Sequence, residues 1–183
     1  GDLLVVAGYL DQGGKGIIQA SLDTGAFSQF GLPGGMVGDS LPAAIGPALD
    51  GSYGQVAQSD SPGAAVLQEM GKANDPAYDA TSPYTPESYD AAALIMLAME
   101  ASGSTDSNVY KEKIMEIANG PADGSGVKIL PGELGKALEL IAAGTAIDYD
   151  GASGVMLIGP GESAGRYKQF EVKGGKYETV QFR

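Results

Sequence analysis

Four short runs carry residue types that could do chemistry. Gly38-Asp39-Ser40-Leu41 would place a serine on a turn, where it could act as a nucleophile. That chemistry needs a base to take the serine proton, normally a histidine. The chain has no His. A helix cap from Asp39 or Ser40 at Leu41 is the better reading of this run. Gly13-Gly14-Lys15-Gly16 looks like a loop that cradles phosphate, but Gly16 stands where a Ser or Thr should follow the lysine. It reads as a glycine-rich helix start. Asp148-Tyr149-Asp150-Gly151 opens like a calcium loop, yet Gly159 holds the position of the closing glutamate. Turn chemistry accounts for it. The fourth run is Gly8-Tyr9, directly after an apolar stretch. A tyrosine there can stack on an apolar ligand part and offer its hydroxyl as donor or acceptor.

Composition narrows the field further. Acidic residues outnumber basic ones 23 to 11, a formal net charge of −12. Such a surface repels phosphate backbones and anionic lipid, so no nucleic-acid partner is expected. Cys, His and Trp are all absent. The chain therefore has no disulfide framework, no thiolate nucleophile and no Cys-based zinc site. Neither a metal nor another cofactor is expected. The hydrophobic fraction of 43% over 183 residues is enough for a sizeable core. No run is apolar for long enough to cross a bilayer. The chain opens directly into a strand-like run, so a truncated start is expected, with any signal peptide upstream.

The elements that must position these residues fall into three blocks. Residues 3–7 read as a buried parallel strand. A helix follows from the glycines at 13–16 to a C-cap at Gly25. Residues 26–32 read as a strand, 41–49 as a short helix and 54–58 as another strand. This alternation is the signature of an α/β unit, whose ligands bind at the C-terminal ends of the strands. Tyr9 and residues 33–36 fall at those ends.

The second block is helical. Its helices are expected at 64–73, from an N-cap at Thr85 to Gly103, at 109–118 and at 132–143. Tyr89, Ala92, Ala93, Met96 and Leu97 would form the apolar face of the long one. Ile114 and Ile117, and then Leu134, Leu138 and Ile141, would face inward on the last two. Residues 147–154 read as a turn, and 155–158 as a strand. The final block ends in a hairpin, 169–172 with 177–182, around Gly174-Gly175. The helical faces need a sheet to cover, which is expected in sequence outside this chain. Without it they must pack on each other or on a second copy, so self-association is expected.

At this level the order of motifs is similar to a known family. The run DLLVVAGYLDQGGKGIIQA resembles the second-lobe strand, Gly-Tyr turn and helix of type I periplasmic solute-binding proteins. The closest branch is the leucine/isoleucine/valine-binding (branched-chain amino acid) family of ABC importers. FGLPGGMVGDSLPAAIGPALDGSYGQV resembles the next strand, ligand loop and helix. YTPESYDAAALIMLAMEASGS resembles the family's Tyr-Asp-Ala helix, and IDYDGASGVMLIGPGESAGRYKQFEVKGGKYETV its closing loop and strands.

The resemblance implies a two-lobe α/β fold with parallel sheets, of which this chain is the C-terminal part. Residues 1–58 would be a second-lobe segment, 59–145 first-lobe helices, and 146–183 the return to lobe two. It implies a non-enzymatic, periplasmic protein that captures a small amino-acid-like or related polar solute and passes it to a membrane permease. Tyr9, with its neighbours Leu10 and Asp11, and the loop at Pro33 and Gly34 would touch the ligand. The family's amino-acid binders carry a Glu at the position of Gly34, which pairs with the ligand's ammonium. Its loss argues against a standard branched-chain amino acid, because a desolvated cation without a partner is costly. Asp11 or Asp39 are the nearby acids that could substitute.

Two alternatives remain. One is a ligand-sensing domain of the same fold, in a receptor or amide-type sensor. The remote one is a serine esterase fragment built on residues 38–41, which would need a histidine from sequence outside this chain.

Overall fold

A computed structural model describes residues 1–80 and 82–183. In chain order the elements are β1 (Leu4–Val5), α1 (Gly14–Thr24), β2 (Phe30–Leu32), α2 (Ser40–Ile45), β3 (Tyr53–Ala57), α3 (Pro62–Asn74), α4 (Thr85–Ser102) and α5 (Ser107–Asn119). They continue with β4 (Val127–Ile129), α6 (Leu134–Ala142), β5 (Ile147–Tyr149), β6 (Leu157–Gly159), β7 (Glu162–Ser163), β8 (Tyr167–Lys173) and β9 (Lys176–Phe182). The chain divides into two compact units, Gly1–Ala57 with Tyr167–Arg183, and Gln58–Arg166.

The first unit is a five-stranded sheet in the order β1-β2-β3-β8-β9. β1, β2 and β3 are parallel; β8 runs antiparallel to β3, and β9 to β8. Ile18 of α1 and Leu41 of α2 are buried with Phe30, Leu32, Phe170 and Val172 in its core. Gly25 caps α1 in the left-handed region, at φ 67°, as its glycine suggested. Gly54 is required by a close approach, because a β-carbon there would overlap the carbonyl of Leu32 on the neighbouring strand. Val5, Tyr53 and Val180 are exposed and line an open groove of about 690 Å³ with Gln55 and Gln169.

Local chemistry shortens several expected elements. The strand expected over 26–32 is confined to β2, since Gly25 ends α1 and its backbone turn carries on into residue 26. The helix expected over 41–49 breaks at Gly46, φ 71°, where a separate 3-10 turn, Gly46–Leu49, starts with Pro47 as its second residue. Asp39 sits at the start of α2 but makes no side-chain cap bond.

The second unit packs α4, α5 and α6 around a two-stranded parallel sheet, β4 with β5. The helices therefore carry a sheet of their own, contrary to the expectation that it lay wholly outside this chain. It escaped notice because each strand has only three residues, and Asp148 interrupts the second. β5 also moves a boundary. Residues 146–166 belong with the helices, because β5 pairs with β4, so the chain leaves this unit after Arg166 rather than at 146.

Within α4 the buried stripe is Pro86, Asp90, Ala93, Leu94, Leu97 and Ala98. Met96, expected inward, is 48% exposed. The acid at position 90 hid the true face. Thr85 is the first residue of α4, not its cap, and Tyr84 caps it at φ 65°. In α6, Ala137 is buried while Leu138 is 38% exposed.

Candidate functional site

The site candidate in the first unit is made by two loops at the C-terminal ends of parallel neighbours, β1 and β2. After β1 the chain turns tightly at Tyr9. Its carbonyl accepts from the backbone N–H groups of Gln12 and Gly14, at 3.2 and 3.1 Å. Gly13 completes the turn at φ 100°, a conformation that favours glycine. After β2, the Pro33 carbonyl accepts from Met36 N–H at 2.8 Å, which makes a single 3-10 turn of Gly34–Met36.

The two loops touch through glycine. A β-carbon on Gly35 would stand 2.5 Å from the carbonyl oxygen of Gly8 and 3.0 Å from Cδ1 of Tyr9. Gly35 thus lets the second loop lie against the Tyr9 ring. The ring's other surfaces stay open, and Tyr9 is 64% exposed. A third segment is pinned from the hairpin. The Tyr177 hydroxyl accepts from Gly38 N–H at 3.4 Å and donates to the Gly38 carbonyl at 3.2 Å. Burial raises the Tyr177 pKa and Asp39 adds to the rise, while the bond to Gly38 opposes it. Phe170 meets the Tyr177 ring edge to face, with centroids 5.0 Å apart.

The expected residues separate by role. Tyr9, Pro33 and Gly34 lie on the two abutting loops. Leu10 instead turns inward and packs against the core. Asp11 lies at the surface in an ion pair with Lys15, Asp11 Oδ1 to Lys15 Nζ 2.8 Å. Lys15 Nζ also donates to Ser40 Oγ at 3.4 Å. That direction is the reverse of what a general base for Ser40 would need. What these loops offer is an aromatic face, a phenol and backbone polar groups, with no carboxylate on the 33–36 turn.

The second unit holds a polar centre that the motif reading passed over. Asp90 is 1% exposed in the middle of α4. Its Oδ1 accepts from the Tyr149 hydroxyl at 2.9 Å and from Ala152 N–H at 2.7 Å. Its Oδ2 accepts from Ser153 N–H at 2.7 Å and from Ser153 Oγ–H at 2.6 Å. A buried charge needs such partners. Burial raises the Tyr149 pKa, and the Asp90 charge raises it further. The signal was present in the sequence: an acid at the apolar spacing of a helix, and a distant Asp-Gly-Ala-Ser-Gly run to receive it. The run first read against a calcium loop is divided between these partners. Tyr149 faces Asp90, and Asp150 pairs with Lys128 at 3.0 Å. Among the described residues no cluster of three or more His, Cys, Asp or Glu could hold a metal ion.

No protein-family model matches the chain. By sequence, 78 residues are 38% identical to the chemotactic signal transduction system substrate-binding protein BasB of Halobacterium salinarum, which is 42% of this chain and 18% of that protein. By structure, the leucine-binding protein LivK of Thermotoga maritima matches 99% of this chain and 44% of its own length, with a TM-score of 0.68 at 18% identity. A type 1 periplasmic binding protein from Bordetella pertussis matches 97% of this chain and 45% of its own, with a TM-score of 0.56 at 17% identity. An ABC-transporter solute-binding protein of R. palustris, solved with benzoate, gives a TM-score of 0.54 at 19% identity over 42% of its length. The chain thus spans less than half the length of each of these four proteins. Among the described residues no helix is long and apolar enough to cross a membrane. The strand order, the helices and these matches agree that this chain has the mixed α/β fold of the type I periplasmic binding proteins.

Proposed function

We propose that the chain is the C-terminal part of a periplasmic solute-binding protein that captures a small amino-acid-like or related polar solute for an ABC importer. The unit built from Gly1–Ala57 and Tyr167–Arg183 would be its second lobe, and Gln58–Arg166 a portion of its first. The observation that carries this reading is the exposed Tyr9 ring against Gly35, where two parallel strands end. Tyr9 and the turn at Pro33 and Gly34 supply one wall of the ligand site. Leu10 supports that wall from the core side, and Asp11 borders it beside Lys15. The lobes close around the solute by hinge motion, and a membrane permease receives it.

Glycine at position 34 also bears on the ligand. The 33–36 turn has no carboxylate to meet an α-ammonium, so a standard branched-chain amino acid is disfavoured. Calorimetry on the full-length protein, with leucine against carboxylates lacking an ammonium, tests this directly. Tight leucine binding would overturn it. The isolated chain, lacking the other wall, should bind neither measurably.

A sensing role is the second reading, favoured by the match to a chemotactic substrate-binding protein. Upstream sequence separates the two. A cleavable signal peptide beside permease genes supports transport, and a fused or partnered signalling domain supports sensing.

A further inference from the structure

We propose that Asp90 is a positioning residue for both connections between the two units, acting through the 151–154 loop. The connections are the peptide links 57/58 and 166/167. Neither touches Asp90. Both begin from a small knot of residues that Asp90 holds in place.

The chain of contacts can be followed atom by atom. Asp90 takes the backbone N–H groups of Ala152 and Ser153, with the Ser153 hydroxyl, and so fixes the loop's conformation. It leaves no room at Gly151, where a β-carbon would overlap Oδ1 of Asp90. The loop's outward carbonyls then meet the start of α3. Ser61 Oγ–H donates to the Ala152 carbonyl at 2.6 Å. Gly63 lies so close to the Gly151 carbonyl that a β-carbon would overlap it.

Ser61 is also the N-cap of α3, since its Oγ accepts from Ala64 N–H at 3.2 Å. One hydroxyl therefore joins the loop to the helix start. Upstream of it, Ser61 N–H donates to Ser59 Oγ at 3.1 Å, and Gln58 N–H donates to the Arg166 carbonyl at 3.2 Å. A β-carbon on Gly154 would stand 3.3 Å from both Ser61 Cβ and Arg166 Nε. Arg166 pairs with Asp60 at 3.6 Å. The last residue before one link and the first after the other are thus bonded to each other and rest on the loop that Asp90 clamps.

A carboxylate suits this task for a physical reason. It offers lone pairs to four donors at once, where an amide of the same size offers one oxygen and presents two hydrogens. Release of the loop should loosen Ser61, and with it Gln58 and Arg166, before the packed helices open.

Residue-resolved hydrogen exchange on the 183-residue chain tests this. In Asp90→Asn, the amides of Ala152 and Ser153 should exchange about tenfold faster or more. The amides of Gln58 and Ser61 should accelerate at least about threefold, although they make no contact with Asp90. The Val127 amide, bonded to Ala146 in the β4–β5 sheet, should keep its rate. Ser61→Ala leaves the clamp intact and cuts the link; Gln58 should accelerate while Ser153 stays protected. Acceleration confined to Ala152 and Ser153 would overturn the proposal, as would a uniform rise across 58–166. An unchanged Gln58 rate in Ser61→Ala would overturn it too.

Discussion

Two loop clusters in this chain use the same ingredients and reach opposite ends. At Gly8–Tyr9 and Gly34–Gly35, glycines let two loops abut, and a tyrosine ring is left largely in the open. At Gly151–Ser153, a glycine lets a loop abut a helix, and Tyr149 is wholly buried. The difference is one carboxylate. Asp90 accepts from the Tyr149 hydroxyl, from Ala152 and Ser153 N–H and from the Ser153 hydroxyl, so those four donors are used inside the fold. The first cluster has no central acceptor. Some of its backbone groups are bonded within tight turns, and the Tyr9 ring stays exposed. One cluster is closed around a buried carboxylate, and the other leaves its aromatic ring exposed.

Breaking the closed cluster should have the largest effect. Asp90→Ala strands the Ala152 and Ser153 N–H groups and two hydroxyls in a buried site. It should cost about 3–5 kcal/mol in denaturant unfolding, the range seen when one side of a buried charged network is removed. Gly63→Ala comes next. The added methyl meets the Gly151 backbone, which cannot move without disturbing the clamp, and a loss of about 1–3 kcal/mol is expected. A Gly63→Ala chain as stable as the original would mean that the loop is free to shift.

The open cluster should respond in the other currency. Tyr9→Ala should change stability by less than about 0.5 kcal/mol, because the ring is exposed. Ligand affinity of the full-length protein should fall about tenfold or more, near 1.4 kcal/mol. If stability falls and affinity does not, the comparison between the clusters fails.

The smallest effect sharpens the picture around Asp90. Burial raises the pKa of Glu87, one turn before it, and the Asp90 charge raises it further, against a backbone bond that lowers it. Folding therefore favours the protonated form of Glu87. Its contribution is complete below the ordinary value of 4.5 and is lost as pH rises through the elevated pKa. Glu87→Gln removes that loss. Thermal unfolding should show the variant more stable at neutral pH, by less than about 1 kcal/mol after solvent screening, with the gap closing in acid.

Much of the first unit was legible in the chain's own letters. The glycines at 13 and 25 and the hairpin around Gly174-Gly175 each carry a local physical signature, whereas the run expected as a buried strand over 3–7 forms only β1, Leu4–Val5, with Val5 61% exposed at the sheet edge. Gly13, Gly25, Gly174 and Gly175 all adopt positive φ. The turn positions of Tyr9 and Pro33 followed from the same alternation of strand and helix. The second unit was harder. β4 and β5 are too short to show a period, and the helical face of α4 was read one position off because Asp90 lies within it. An acid at an apolar position looks like a break in the pattern until its donors, some 60 residues away in sequence, are brought beside it.

The sequence alone settled what depends on neighbours along the chain: where backbone must turn, where α1 and α4 stop at Gly25 and Gly103, and which chemistry the absence of Cys and His removes. Tertiary structure decided what depends on distant partners. It buried Asp90, turned Leu10 inward, drew Lys15 to Ser40, and laid Gly35 against the Tyr9 ring. Turn and cap energies are local and can be read from a few adjacent residues. The burial of a charge or the exposure of a ring depends on which atoms arrive from elsewhere, and spacing along the chain does not contain that.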